Sequence, residues 1–357
     1  MPLPPRLRES VPLAPLTTFE IGGPARFFCE AETEKDVAEA LAFAKAKGLP
    51  VVVLGGGSNL VVADRGFDGL VLRLALRGIE NLGEGRLRVA AGEPLDDLVE
   101  LAVARGWQGI ECLSGIPGTV GATPVQNVGA YGQEVAESIA SVRVLDRETL
   151  TTTELSPGAC GFGYRSSVFK GEAHDRYVVL SVDFALRPRA TPSIRYEELR
   201  RHLAARGIEA PGLREVREAV LSLRRAKSMV VEPDDPNRRS AGSFFVNPVV
   251  AKEQADAIEA SVGEPMPRYP AGEKVKVPAA WLIERAGFSR GCGEGNVGLS
   301  TRHALAIVNR GGATASELLA FARRIQDAVR ERFGVRLNAE PRLVGFERHE
   351  IESFVDS

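Results

Sequence analysis

Apolar residues Val37, Ala40, Leu41 and Ala44 recur at the three-and-four spacing of a single helix face. Thr33 stands before them with Asp36 three residues on, and Gly48 follows the last apolar position. This predicts a capped helix over 34–47. The uninterrupted run Val51-Val52-Val53-Leu54 predicts a buried strand directly after it. Further strands are predicted over 70–74, 87–91, 142–145 and 178–186. A helix is predicted over 94–105, with Pro94 at a first-turn position and Gly106 past its end. From 196 to 228 the chain turns helical, basic and rich in Leu and Ala. A polar loop, Glu-Pro-Asp-Asp-Pro-Asn-Arg-Arg at 232–239, then marks a boundary. The last third predicts helices near 250–262, 278–286 and 316–333, a strand at 304–308 and a strand-like stretch at 335–337. Strands and helices mix without a strict β-α-β rhythm and without internal repeats, which predicts the α+β class.

Composition narrows this picture. A length of 357 residues suggests about two to three domains at roughly 150 residues each. Cys29, Cys112, Cys160 and Cys292 are too scattered for a disulfide framework, and His174, His202, His303 and His349 form no close ligand pair. Both facts argue against a structural metal and for a reducing, cytoplasmic location. The N-terminal stretch carries Pro and charge where a signal peptide has an apolar run, and no segment is long enough to span a membrane. The net charge of −2 hides an asymmetry. Residues 187–239 hold 13 basic and 8 acidic side chains, a local +5, leaving −7 elsewhere. Such a segment suits either a local anionic ligand or a solvated helix surface; nucleic acid would call for a broad basic face.

Several segments can carry chemistry. Gly55, Gly56, Gly57, Ser58 and Asn59 follow the buried strand. Such a run is either a tight turn or a cradle in which main-chain N–H groups hold a pyrophosphate. It is not a Walker loop. A G-x-G-x-x-G match at Gly293, Gly295 and Gly298 leads into a predicted strand rather than a helix and is rejected as a dinucleotide site. The densest segment is 114–132, with Pro117, Gly118, Gly121 and the amide pair Gln126-Asn127. It reads as an ordered surface loop or as backbone wrapped round a ligand whose heterocycle edge the amides could address. Tyr164-Arg165-Ser166-Ser167 sets an Arg between an aromatic and hydroxyls, suited to a carboxylate or phosphate or to a structural ion pair. Ser243 lies between Gly242 and two Phe, with Asn247-Pro248 behind and no hydrolase elbow around it. Glu340 follows the strand-like stretch at 335–337, where a carboxyl can serve as an acid if burial raises its pKa.

Taken together, 15–23, 54–60, 116–132, 162–170, 242–248 and the Glu340 region resemble, in order, the UDP-N-acetylenolpyruvoylglucosamine reductases in their longer subclass. The resemblance implies an FAD-binding fold of the vanillyl-alcohol-oxidase/PCMH type made of two subdomains, plus a C-terminal α+β substrate-binding domain. It places the FAD domain at 18–187, with subdomains at about 1–73 and 74–187. A basic helical insertion follows at 188–232, then the substrate domain at 233–334 and a C-terminal segment at 335–357 that returns with the acid. It implies non-covalent FAD, since no His precedes His174, with the pyrophosphate on 55–59 and the flavin end near 117–127. It also implies NADPH as hydride donor and the enolpyruvyl sugar nucleotide as substrate. Arg165 and Glu340 are implied to polarise the substrate carboxylate and Ser243 to donate the proton. Tyr164, Tyr196, Lys227, Asn247 and His303 are implied to contact substrate. A monomer with no metal, nucleic-acid or membrane partner is expected. The competing readings are an FAD-linked oxidase of the same fold and a non-catalytic nucleotide-binding protein; Arg165, Ser243 and Glu340 together favour the reductase.

Overall fold

The computed structural model describes residues 6–355. By contacts the chain divides into two compact units. The first holds the chain up to 11, then 25–57 and 68–231; the second holds 12–24, 58–67 and the chain from 232 onward. These are not contiguous spans of sequence: 12–24 and 58–67 group with the C-terminal half, and both helices of the basic stretch group with the first unit.

In the first unit, a four-stranded sheet runs in the order Leu7–Pro12, Pro24–Ala31, Phe67–Leu74, Val51–Leu54, its last pair parallel with Val51 opposite Leu70. The helix Glu34–Lys47 has the predicted cap. The Thr33 hydroxyl accepts from Asp36 N at 3.1 Å, and the Asp36 carboxylate accepts from Thr33 N at 2.9 Å. Gly48 closes it at φ 63°, a left-handed conformation that costs glycine little. Its apolar face, with Phe43 added, is buried in the core. A second sheet is antiparallel throughout, ordered Thr152–Leu155, Ile139–Asp146, Tyr177–Ala185, Arg86–Ala90, Ile79–Gly83. One hydrophobic cluster joins side chains of both sheets. Pro94 proves to be the N-cap, not a first-turn residue, of the helix Leu95–Ala104.

The basic stretch is two helices, Glu197–Ala205 and Leu213–Ala226, around a small core of Cys112, Leu199, Leu203, Val216, Ala219 and Val220. Its cations are largely paired. Arg217 forks onto Asp96 at 2.6 and 2.9 Å, Arg195 forks onto Glu137 at 2.9 and 2.7 Å, and Lys227 meets Glu198 at 2.7 Å. Glu197 takes Arg200 and Arg201. Much of the local positive charge is therefore neutralised by carboxylates near it.

The second unit packs the helices Lys252–Val262, Ala279–Arg285 and Ala315–Phe333 with Phe244, Phe245, Leu337 and Phe354. The strand predicted at 304–308 is Ile307–Asn309, because 300–306 makes a turn closed by Ser300 N to Ala306 O at 2.8 Å. The strand predicted at 335–337 is absent. The C-terminal strand is Arg342–Val344, parallel to Leu60–Val62 with Arg342 opposite Leu60. The G-x-G-x-x-G residues form an antiparallel hairpin, Gly293–Glu294 against Val297–Leu299. A side chain at Gly298 would strike the Arg310 guanidinium, so packing accounts for that glycine. Among the described residues, no helix is long and apolar enough to cross a membrane, and no cluster of His, Cys, Asp and Glu could hold a metal. The four thiols are free, with burial pushing Cys112 up to about 12.

The Asp96–Arg217 fork joins the helix Leu213–Ala226 to the helix Leu95–Ala104. Burial works to raise the Asp96 pKa, but the bonds from Arg217 and from Gly115 N prevail and hold it below the ordinary carboxylate value. A depressed folded pKa stabilises above the unfolded value and is lost as pH falls through the folded one. Asp96→Asn is expected to cost about 2 kcal/mol at neutral pH, read by urea unfolding, and to flatten the stability loss below about pH 4.

Candidate active site

In the first unit, the residues expected to hold a cofactor lie on two glycine-rich segments that touch. A Cβ at Gly55 would come within 2.6 Å of Thr119 Oγ1, and one at Gly56 within 2.7 Å of Gly118 Cα. A Cβ at Gly121 would lie 2.5 Å from Ala91 Cβ. Main chain therefore packs on main chain, pinned by Leu95 N to Gly118 O at 3.0 Å, Val120 N to Glu93 O at 2.8 Å and Gly121 N to Ala91 O at 2.9 Å. Gly57 is left-handed at φ 64°, and Gly56 and Pro117 are exposed. The result is a bare, side-chain-poor surface fitted to an anionic, hydrogen-bond-accepting group such as a pyrophosphate. The division between units falls inside the run, leaving Ser58 and Asn59 in the second unit.

Arg165 sits at the tip of a tight turn closed by Gly163 N to Ser166 O at 3.0 Å and Ser166 N to Gly163 O at 3.2 Å. Its φ of 53° is left-handed, costing a non-glycine residue about 1 kcal/mol or more. The surroundings hold it there. Arg165 Nη2 donates to Gly129 O at 2.8 Å and Nη1 to Asn127 O at 3.5 Å, and the guanidinium lies 5.6 Å from the Tyr164 ring centroid. Tyr164 itself is 42% exposed. Tyr196, at the start of the helix Glu197–Ala205, packs edge-on to Tyr131 at 5.6 Å. Burial pushes the Tyr131 phenol up to about 12, so it stays neutral across the physiological range. Lys227 is the C-cap of the helix Leu213–Ala226 and pairs with Glu198.

In the second unit, two extended segments meet side by side. Glu340 N donates to Phe244 O at 2.8 Å and Val246 N to Asn338 O at 3.0 Å, around an antiparallel bridge between Phe245 and Ala339. The pairing sets Phe244 across from Glu340, with Ser243 one residue before it. Ser243 follows Gly242 at φ 70°, which turns the chain sharply before it. Phe244 and Phe245, fully buried, anchor the strip. Among the described residues, no hydrogen bond engages the half-buried Ser243 hydroxyl. Asn59 bonds the main chain around the acid, its Nδ2 to Glu340 O at 3.3 Å and its O from Arg342 N at 3.0 Å. Asn247 Oδ1 accepts from Ala279 N at 2.9 Å and so serves a helix start. His303 lies in the 300–306 turn, its carbonyl accepting from Ala306 N.

Residues 25–155 match the FAD binding domain family, and residues 234–344 match the C-terminal domain of UDP-N-acetylenolpyruvoylglucosamine reductase. The chain is 50% identical over 347 residues to the UDP-N-acetylenolpyruvoylglucosamine reductase of Nocardia farcinica, covering 95% of this chain and 90% of that one. It is 47% identical over 350 residues to that of Thermobifida fusca, covering 94% and 98%. A crystal structure of the Thermus caldophilus reductase, 28% identical, superposes with a TM-score of 0.67 over 95% of this chain and 99% of that one. The chain belongs to the UDP-N-acetylenolpyruvoylglucosamine reductases.

As a member of that family it is an oxidoreductase of peptidoglycan precursor synthesis with an FAD-binding domain. Sequence reasoning named the segments of this reductase, Ser167 among them, but not the partners through which side chains brace them. Ser167, 3% exposed, donates to Val125 O at 2.6 Å. Glu134 accepts from Asn127 Nδ2 at 2.7 Å. Neither has a local pattern to announce it, because each partner is fixed only by folding. The glycine packing gives a direct test. Gly56→Ala meets backbone rather than a yielding side chain. It is expected to lower stability by about 1–3 kcal/mol and to weaken FAD retention, measured by thermal unfolding and by flavin content after gel filtration.

Proposed function

We propose that this reductase converts UDP-N-acetylglucosamine enolpyruvate to UDP-N-acetylmuramate with NADPH as hydride donor, acting as a cytoplasmic monomer with non-covalent FAD. The observation that carries the reading is the main-chain pairing of 244–246 with 338–340, with Ser243 directly before that strip and Glu340 at its end. That pair matches the family's proton donor and acid, and Arg165 matches its carboxylate-binding Arg.

The glycine segments 55–57 and 117–121 would hold the cofactor, the first at its pyrophosphate and the second toward the flavin. FAD held there would supply the hydride chemistry between NADPH and the vinyl carbon remote from the substrate carboxylate. As that carbon accepts hydride, negative charge develops on the enolpyruvyl carboxylate. The Arg165 guanidinium, already fixed by two carbonyl oxygens, binds such charge without first reorganising. Glu340 shares that role as an acid, and Ser243 Oγ passes a proton to the carbon adjacent to the carboxylate. Tyr164, Tyr196, Lys227, Asn247 and His303 are assigned to the sugar nucleotide by the same match. Within this reading Lys227 leaves Glu198 to meet phosphate, an exchange of one anionic partner for another.

The protein is expected to purify yellow, to bleach anaerobically with NADPH and to regain colour with the enolpyruvyl sugar nucleotide. A colourless protein without FAD affinity, or one reoxidised by oxygen and never by that substrate, contradicts the proposal. Ser243→Ala is expected to keep flavin reduction by NADPH and to slow reoxidation by substrate by about 10²–10⁴-fold, followed by stopped-flow absorbance.

A further inference from the structure

Asn127 lies in the segment expected to face the flavin, and its side chain is committed elsewhere. It is 1% exposed and left-handed at φ 46°. Its Nδ2 donates to Glu134 Oε2 at 2.7 Å and to Gly163 O at 3.0 Å, and its Oδ1 accepts from Ala136 N at 3.2 Å. Both amide protons and the amide oxygen are thus engaged within the protein. A side chain so occupied cannot donate to a heterocycle edge without giving up buried bonds.

What these bonds hold is the turn that presents Arg165. Gly163 is the first residue of that turn, and Asn127 grips its carbonyl. Asn127's own carbonyl takes Arg165 Nη1 at 3.5 Å, and Gly129, two residues on, takes Nη2 at 2.8 Å. Ser167 Oγ closes the far side of the turn onto Val125 O at 2.6 Å. The segment 125–129 therefore braces 163–167 at four points, and Asn127 supplies two of them. We propose that Asn127 is a positioning residue for Arg165, holding the strained turn so that the guanidinium is set for the substrate carboxylate. This rests on the functional reading above, and it moves Asn127 from the cofactor to the substrate half of the chemistry.

The test uses the FAD-loaded enzyme with Asn127→Ala and, as a milder change, Asn127→Ser, which keeps a hydroxyl but is too short to span Glu134 and Gly163. Both are expected to keep the wild-type flavin spectrum, FAD affinity within about 3-fold and the rate of reduction by NADPH. Reoxidation by the enolpyruvyl sugar nucleotide is expected to fall at least 10-fold for Ala and less for Ser. The deciding readout is a double-mutant cycle with Arg165→Ala. If Asn127 acts through Arg165, removing Asn127 costs little once Arg165 is gone. Additive losses overturn the proposal. So do a weakened FAD affinity or shifted flavin spectrum with reoxidation intact, which would return Asn127 to the cofactor. Wild-type enzyme run alongside separates the two levels: failure of the wild type to be reoxidised by the sugar nucleotide overturns the functional reading and the inference with it.

Discussion

Chain that leaves a sheet or helix still carries a donor and an acceptor at nearly every residue, and where it is buried each needs a partner. That constraint shapes both halves of this reductase. The residues matched to catalysis lie on irregular segments, not in regular ladders, so their backbone groups are satisfied one at a time. In the second unit, 244–246 and 338–340 answer the need by pairing with each other, and Asn59 takes up the Glu340 carbonyl and the Arg342 amide beside them. In the first, short main-chain pairings within 128–135 and 163–166 are joined by side chains: Asn127, Ser167 and Arg165 itself bond the carbonyls and amides of 125–136 and 163–167. Position and satisfaction are the same set of bonds, which is why these side chains are held where they are.

The same constraint explains the strain. Asn127, Tyr131 and Arg165 all sit at positive φ without being glycine. Asn127 and Arg165 lie where 125–129 meets 163–167, and Tyr131 lies in the turn between Gly129–Ala130 and Gln133–Glu134; a left-handed residue turns the chain within one step. Strain of this kind persists only where the surroundings over-determine it, and the four contacts between 125–129 and 163–167 do so. Glycine serves where even a Cβ cannot be admitted, as at Gly55 and Gly56 against 118–119.

Charge followed a similar course. The +5 over 187–239 was legible as a number, but not whether it faced a ligand or a carboxylate. Folding settled much of this, because Arg217, Arg195 and Lys227 meet Asp96, Glu137 and Glu198 across separations of 29 to 121 residues. Lys227 is a partial exception in meaning, since an exposed-edge pair with Glu198 is weak enough to be exchanged for a phosphate.

Local patterning determined the helix over 34–47 down to its cap, the strand after it and the longer helices, because these depend on residues a few positions apart; it left out strands such as Leu7–Pro12, Pro24–Ala31, Ile79–Gly83 and Thr152–Leu155. The order of motifs along the chain determined the family. Sequence could not separate a glycine that admits a ligand from one that admits another backbone: Gly55 and Gly121 have close protein neighbours, while Gly56 has both a close neighbour and an exposed face. It misplaced the C-terminal strand by several residues, since 335–337 looks extended but only 342–344 has a partner, in Leu60–Val62 nearly three hundred residues earlier. It gave no sign of the partners of Asn127, whose amide suits a heterocycle equally well until Glu134, Ala136 and Gly163 are placed around it. Donors and acceptors are properties of a residue, but which partner satisfies them is decided by distance in space, and only the tertiary structure sets that distance.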